Sequence, residues 1–187
     1  MKNKLIKLLI ITLPAMILVS CNSGVQQLQQ AVSDSPITVS SLTSRQLIER
    51  LEAEGVQVIH LGQTIKLVIN SQQLFTANTA NLINYNSLLL HDVAAIINSY
   101  NPVSVEVAAY ASPITGKKED YMQALTTHQA QQVVKILGQL GVNTRLLYAL
   151  GNGTAHPVSS NDLASGQVAN QRVEITFRYK PHWVAYN

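Results

Sequence analysis

Residues 103–134 read VSVEVAAYASPITGKKEDYMQALTTHQAQQVV, and the period of the chain changes halfway along them. Val103, Val105 and Val107 alternate, as the buried face of a β-strand requires. A turn-rich stretch follows. From about Glu119 to Gly141 apolar residues recur at helical spacing instead. At about 100° per residue, Met122, Leu125, Val133, Ile136, Leu137 and Leu140 cluster on one side of that helix. Gln129 lies inside the cluster. An unsatisfied buried amide costs about 1–3 kcal/mol. Gln129 therefore faces a pocket at the N-terminal half of the helix, or its amide is satisfied by backbone.

The pattern continues on both sides. Arg145 to Leu150 reads as a strand, Gly151 to Gly166 as a long loop with three Gly and one Pro, and Gln171 to Tyr179 as a final strand. Upstream, Thr43 or Ser44 can cap a helix carrying Leu47, Ile48 and Leu51, with Gly55 at its stop. Val56 to Asn70 alternates on either side of Gly62-Gln63, a hairpin signal. Ser71 to Asn84 is polar and turn-like around Leu74-Phe75. Ser87 to Tyr100 places Leu89, Val93, Ile96, Ile97 and Tyr100 on one helical face, and Pro102 ends it. Strand–helix–strand units favour parallel strands. The expectation is an α+β fold: a mixed sheet with helices on one face, preceded by a helix and a β-hairpin.

The first residues have the composition of a targeting segment. Lys2, Lys4 and Lys7 precede an apolar run from Leu8 to Val19, short of the roughly 18–20 residues that span a bilayer. The run ends in Leu18-Val19-Ser20-Cys21 and resembles a bacterial lipobox. That resemblance implies cleavage before Cys21 and lipid on its thiol, and Asn22 implies sorting to the outer membrane. Residues 1–20 are thus expected to be a signal peptide and 21–41 a lipidated Cys with a flexible tether. Cys21 is the chain's one cysteine, which excludes an intrachain disulfide.

The chain carries 13 Lys and Arg against 10 Asp and Glu. Without Lys2, Lys4 and Lys7 the two balance. Removing 20 of 187 residues leaves 167, enough for one domain with a real core. A neutral domain without a basic stripe argues against nucleic acid as a partner.

Nothing in the sequence assembles a catalytic set. None of His60, His91, His128, His156 and His182 has a metal-ligand partner three or four residues on. Gly151-Asn152-Gly153 lacks the Lys-Ser/Thr of a phosphate loop and reads as a turn. No enzyme, cofactor or metal is expected.

Leu74-Phe75, VSVEVAAY, Leu125-Thr126-x-x-Gln129-Ala130, Gly151-x-Gly153-x-x-x-Pro157 and Asn170-Gln171-Arg172-Val173-Glu174-Ile175 together resemble the OmpA-like domain, over residues 65–179. The resemblance implies a βαβαββ fold and a pocket for the amine and carboxylate of diaminopimelate in peptidoglycan. An Asp and an Arg would hold that zwitterion through charge-assisted bonds. Here the implied Asp position is Ser112 and the Arg position Gln129. Met122 stands at an implied Asn, Tyr110 lies on the same loop, and Arg172 is retained in the ending. The pocket positions are therefore degenerate, and peptidoglycan is expected to bind weakly or not at all. Arg172 is either a surviving ligand residue or an ion-pair partner of Glu174 or Glu106. Residues 42–64 form a helix–hairpin prefix and 180–187 a tail. The run Arg50-Leu51, Gly55-Val56-Gln57-Val58-Ile59, Gly62-x-Thr64 and Leu67-Val68-Ile69, ahead of a domain with Gln129 at the Arg position, resembles lipoproteins of the type IVB (Dot/Icm) secretion system, which implies other core proteins of that machine as partners.

Overall fold

The computed structural model of the chain describes residues 42–83 and 87–181. Cys21, the expected signal peptide and tether, and the end of the tail fall outside them.

Helix α1 (Ser44–Ala53) begins with a capping box: the Thr43 side chain accepts from the Gln46 backbone N–H while the Gln46 side chain accepts from that of Thr43. The chain leaves α1 through Gly55 at φ +83°. Strands β1 (Gln57–Leu61) and β2 (Thr64–Asn70) form an antiparallel hairpin across Gly62-Gln63. Helix α2 (Ser71–Leu74) is a single turn capped by Asn70, and helix α3 spans Ser87–Ser99. Then come β3 (Pro102–Tyr110), α4 (Glu119–Gln139), a 3₁₀ turn, β4 (Leu147–Gly151), α5 (Ala164–Asn170) and β5 (Arg172–Tyr179).

The five strands form one mixed sheet in the order β1-β2-β5-β3-β4. β3 and β4 are parallel, and every other pair is antiparallel. β5 enters between β2 and β3, so the last strand of the chain occupies the centre. β1 is an edge strand, which joins the helix–hairpin prefix to the sheet.

Alternation decides which face is buried. Ile65, Leu67 and Ile69 of β2, Val105, Val107 and Ala109 of β3, and Val173, Ile175 and Phe177 of β5 form one fully buried face. Leu47 and Leu51 of α1, Val93, Ile96 and Ile97 of α3, and Ala130, Val133 and Leu137 of α4 complete this core. Each of the Val, Leu, Ile and Phe side chains among them contributes about 1.5–3 kcal/mol by leaving water. An ion pair between Arg50 of α1 and the buried Asp92 of α3 ties the prefix helix to the second layer.

Two stretches differ from the sequence reading. Ser71–Leu74 is helical, and a bridge between Phe75 and Leu82 closes the loop after it. The buried side chains of Leu74 and Phe75 pin this otherwise polar segment. The loop expected to run to Gly166 is interrupted at Ala164 by α5, which has no apolar period to announce it. Tertiary contacts hold it instead. The buried Asn170 side chain accepts from Val158 and Ser159 N–H and donates to Ser159 O and Asn161 Oδ1. The expectation of helices on one face holds for the three long ones. α5 is the exception, since Val158 and Ala169 line a hollow with Lys66, Val68, Arg172 and Glu174 of the opposite sheet face.

Candidate functional site

β3 runs out at Tyr110 beside the first turns of α4 and the segment after β2. Those three pieces enclose a small cavity of about 20 Å³, room for about one water molecule and well below the size of a ligand site. It brings together four of the five positions singled out from the sequence: Tyr110, Ser112, Met122 and Gln129. No Lys, Arg, His, Asp or Glu lines it.

Gln129 is buried, and its Nε2 donates to Thr79 O at 2.8 Å. The two readings of Gln129 hold at once: it faces a pocket, and its amide N–H meets backbone. That bond anchors α4 to the loop walling the pocket, in which Asn78 sits at φ +56°. Ser112 is 1% exposed and its Oγ accepts from Gln171 Nε2 at 2.7 Å. Ser71 also lines the pocket, and its buried Oγ has no hydrogen-bond partner.

Ser71 and Gln171 did not emerge as site residues from the sequence. Ser71 comes from a segment without a period. Gln171 lies immediately before β5, whose side chains alternate, and it lines the pocket where Arg172 does not.

Arg172 lies on the other side and is built into a charge network. Its guanidinium donates to Glu174 Oε1 at 2.8 Å and to His156 O at 3.2 Å, and it stacks 3.9 Å from the centre of the Tyr110 ring. Lys66 Nζ meets the second Glu174 oxygen at 2.6 Å. Of the two anions considered for Arg172, the structure selects Glu174, which shares its strand face at i+2; Glu106 is exposed. Burial raises the Glu174 pKa, but hydrogen bonds and charge from Lys66 and Arg172 outweigh it and hold the carboxyl below its usual range. Burial also pushes the Tyr110 hydroxyl up, with Glu174 adding to the effect.

The Gly151-Asn152-Gly153 turn extends the β3–β4 ladder. Asn152 N–H donates to Ala109 O and Ala111 N–H to Gly153 O. Gly153 N–H reaches the buried Thr126 hydroxyl at 3.0 Å, and Glu119 at the start of α4 accepts from Thr154 N–H and Oγ1. These bonds hold the Glu119 carboxyl below its usual pKa. The turn thus fixes the first helical turns that carry Met122 and Gln129. His60, His91, His128 and His156 are all exposed. Among the described residues, no group of three or more His, Cys, Asp or Glu side chains is placed to hold a metal.

A model of the OmpA family matches residues 74–171, just over half of the chain. The chain is similar to "Probable lipoprotein YiaD" of Escherichia coli, 30% identical over 130 residues that make up 70% of this chain and 58% of the relative. It is 28% identical to Motility protein B of Helicobacter pylori over 161 residues, 83% of this chain and 62% of that one. The chain therefore spans about six-tenths of the length of these curated relatives. Among solved structures, the periplasmic domain of Helicobacter pylori MotB superposes with a TM-score of 0.60 at 26% identity, covering 68% of this chain and 83% of that one. The cell wall anchor of the T6SS from Pseudomonas aeruginosa gives a TM-score of 0.66 at 24% identity, covering 73% and 96%, and that likeness is one of fold.

Proposed function

Because the chain belongs to the OmpA family, we propose that it is a lipid-anchored outer-membrane protein whose OmpA-like domain faces the periplasm and serves as a structural, non-enzymatic component of an envelope complex. The complex we assign is the outer-membrane core of a type IVB (Dot/Icm) secretion system. The run at Arg50-Leu51, Gly55 to Ile59, Gly62-x-Thr64 and Leu67 to Ile69, ahead of a domain with Gln129 at the Arg position, resembles the DotK (IcmN) lipoprotein of that machine. Its partners on this reading are other core proteins, and Cys21 carries the lipid.

The observation that carries the reading is the uncharged pocket. Its lining offers no cation for a carboxylate and no anion for an ammonium. Charge-assisted bonds contribute about 1.5–3 kcal/mol each, so a zwitterionic wall peptide loses two of them here. A second reading, a tether between outer membrane and peptidoglycan, is favoured by one feature: the pocket persists and keeps the unpartnered Ser71 hydroxyl.

Co-sedimentation with sacculi whose stem peptides carry free carboxylates separates the two. The wild type is expected to stay in the supernatant, and the Ser112→Asp, Gln129→Arg double variant to sediment. Equal sedimentation of both proteins sinks the claim of a degenerate pocket and leaves the tether reading. The anchor has its own test. Cys21→Ser is expected to move the protein from the membrane fraction to the soluble periplasm, and an unchanged membrane fraction would refute lipidation at Cys21.

A further inference from the structure

We propose that the hollow on the open face of the sheet, between α5 and the β1–β2 hairpin, is a docking site for a partner protein that inserts one carboxylate side chain flanked by aliphatic residues. The inference concerns the sheet face opposite the pocket, and it rests on the reading of the domain as a component of an envelope complex. The hollow has a volume of about 400 Å³. Strand register sets its floor: Lys66 stands opposite Ile59, and Val68 lies between Gln57 and Glu174. Val158 and Ala169 contribute from the α5 side.

Charge decides the occupant. Lys66 and Arg172 both pair with Glu174, so two cations and one anion converge and leave a net charge of +1. The two cations hold the Glu174 carboxyl below its usual pKa, so it stays ionised. Arg172 lies underneath with its side chain 5% exposed, while that of Lys66 is 31% exposed and keeps N–H donors beyond its bond to Glu174. The excess positive charge is thus presented through Lys66. One carboxylate neutralises it, whereas a phosphate dianion overshoots and repels Glu174. The walls select what carries the carboxylate. Ile59, Val68, Val158 and Ala169 are aliphatic, and Val158 stands 62% exposed at the rim. Small-molecule sites enclose about 70–90% of their ligand. This hollow instead opens past the exposed Gly55, Gln57 and Val158, as a side chain presented from a protein surface requires.

The test is NMR titration of the full chain in neutral detergent with two short capped peptides in which leucines flank either Glu or Gln. The Glu peptide is expected to shift the Ile59, Lys66 and Val68 resonances and to bind about tenfold more tightly, the ratio set by one charge-assisted bond. Val158→Asp puts a like charge on the rim without touching the network of Lys66, Glu174 and Arg172. It is expected to erase the preference with an unchanged melting temperature. Lys66→Gln removes the excess cation and is expected to erase it too. Equal binding of the two peptides, or of neither, overturns the inference. Tighter binding of hexanoate than of the Glu peptide also overturns it and assigns the hollow to a free acid, and tighter binding of a phosphoserine peptide overturns the monoanion argument. Co-purification from detergent-solubilised envelopes tests the underlying reading separately. Envelope proteins retained by the wild type and lost by Val158→Asp support the site, taken with the peptide preference. Retention by both overturns the site and leaves the envelope-complex reading standing. Retention by neither overturns both.

Discussion

Gly151→Ala is expected to destabilise the domain by about 3 kcal/mol or more, the upper range for forcing an extra methyl into a packed site. For a domain of this size that lowers the melting temperature by roughly 6–12 °C. The reason is space. A Cβ on Gly151 would lie 2.3 Å from Thr127 Oγ1, 2.4 Å from Thr127 N and 2.7 Å from Thr127 Cα. Two of these atoms are backbone of the long helix, so no rotamer change relieves them. To admit the methyl, α4 must move off β4. That would break the bond from Gln123 Nε2 to Gly151 O at 2.6 Å and strain the one from Gly153 N–H to Thr126. Gly62→Ala is the control. Gly62 has φ +63° with nothing within 4 Å of where its methyl would sit, so only left-handed strain of about 1–2 kcal/mol applies. Thermal melts of the two variants check the comparison. A Gly151→Ala melt within 2–3 °C of wild type, about 1 kcal/mol, would mean that helix and strand are not held at this spacing.

That glycine illustrates which features of the fold a sequence exposes. The strands with one buried face were legible because burial imposes a period of two on Ile65-Leu67-Ile69 and Val173-Ile175-Phe177. Gln129 was legible as an anomaly, a polar residue inside a helical stripe. Ser71 was not, because the pocket wall it belongs to is a one-turn helix and a loop, where no period exists to be interrupted. The short helix α5 was hidden for the same reason. It is held by the Asn170 side chain and by the close approach of Gly166 to Ser160 O, which lies 1.9 Å from where a Cβ would sit. The separation of Arg172 from the pocket follows from alternation along β5 once Gln171 is placed, yet the choice between Glu174 and Glu106 as its partner needed the three-dimensional register.

Glu174→Gln is expected to cost about 3–5 kcal/mol at neutral pH, the range for removing one partner of a buried ion pair. Arg172 is 4% exposed, so the loss of Glu174 strands a buried guanidinium against Tyr110 and two backbone carbonyls. Arg172→Ala is expected to cost less, because Glu174 keeps Lys66, whose side chain reaches solvent. The two substitutions touch one network, so the double variant is expected to cost less than their sum. The same carboxyl gives the domain an acid limit. Its folded pKa lies below the usual 4.5 of a glutamate. A carboxyl depressed on folding contributes its full stability above the unfolded value and loses it as pH falls through the folded one. Wild-type stability is therefore expected to fall with decreasing pH across the window beneath 4.5, and Glu174→Gln to flatten that fall while lying lower at pH 7. Urea melts at pH 7 and across pH 3–5 measure both effects. If the variant keeps the wild-type slope below pH 4.5, the acid sensitivity comes from carboxyls other than Glu174. The network has a further consequence for the pocket: Tyr110 is shared, stacked on Arg172 on one side and lining the pocket on the other, so Arg172→Ala is expected to loosen a pocket wall it does not itself line.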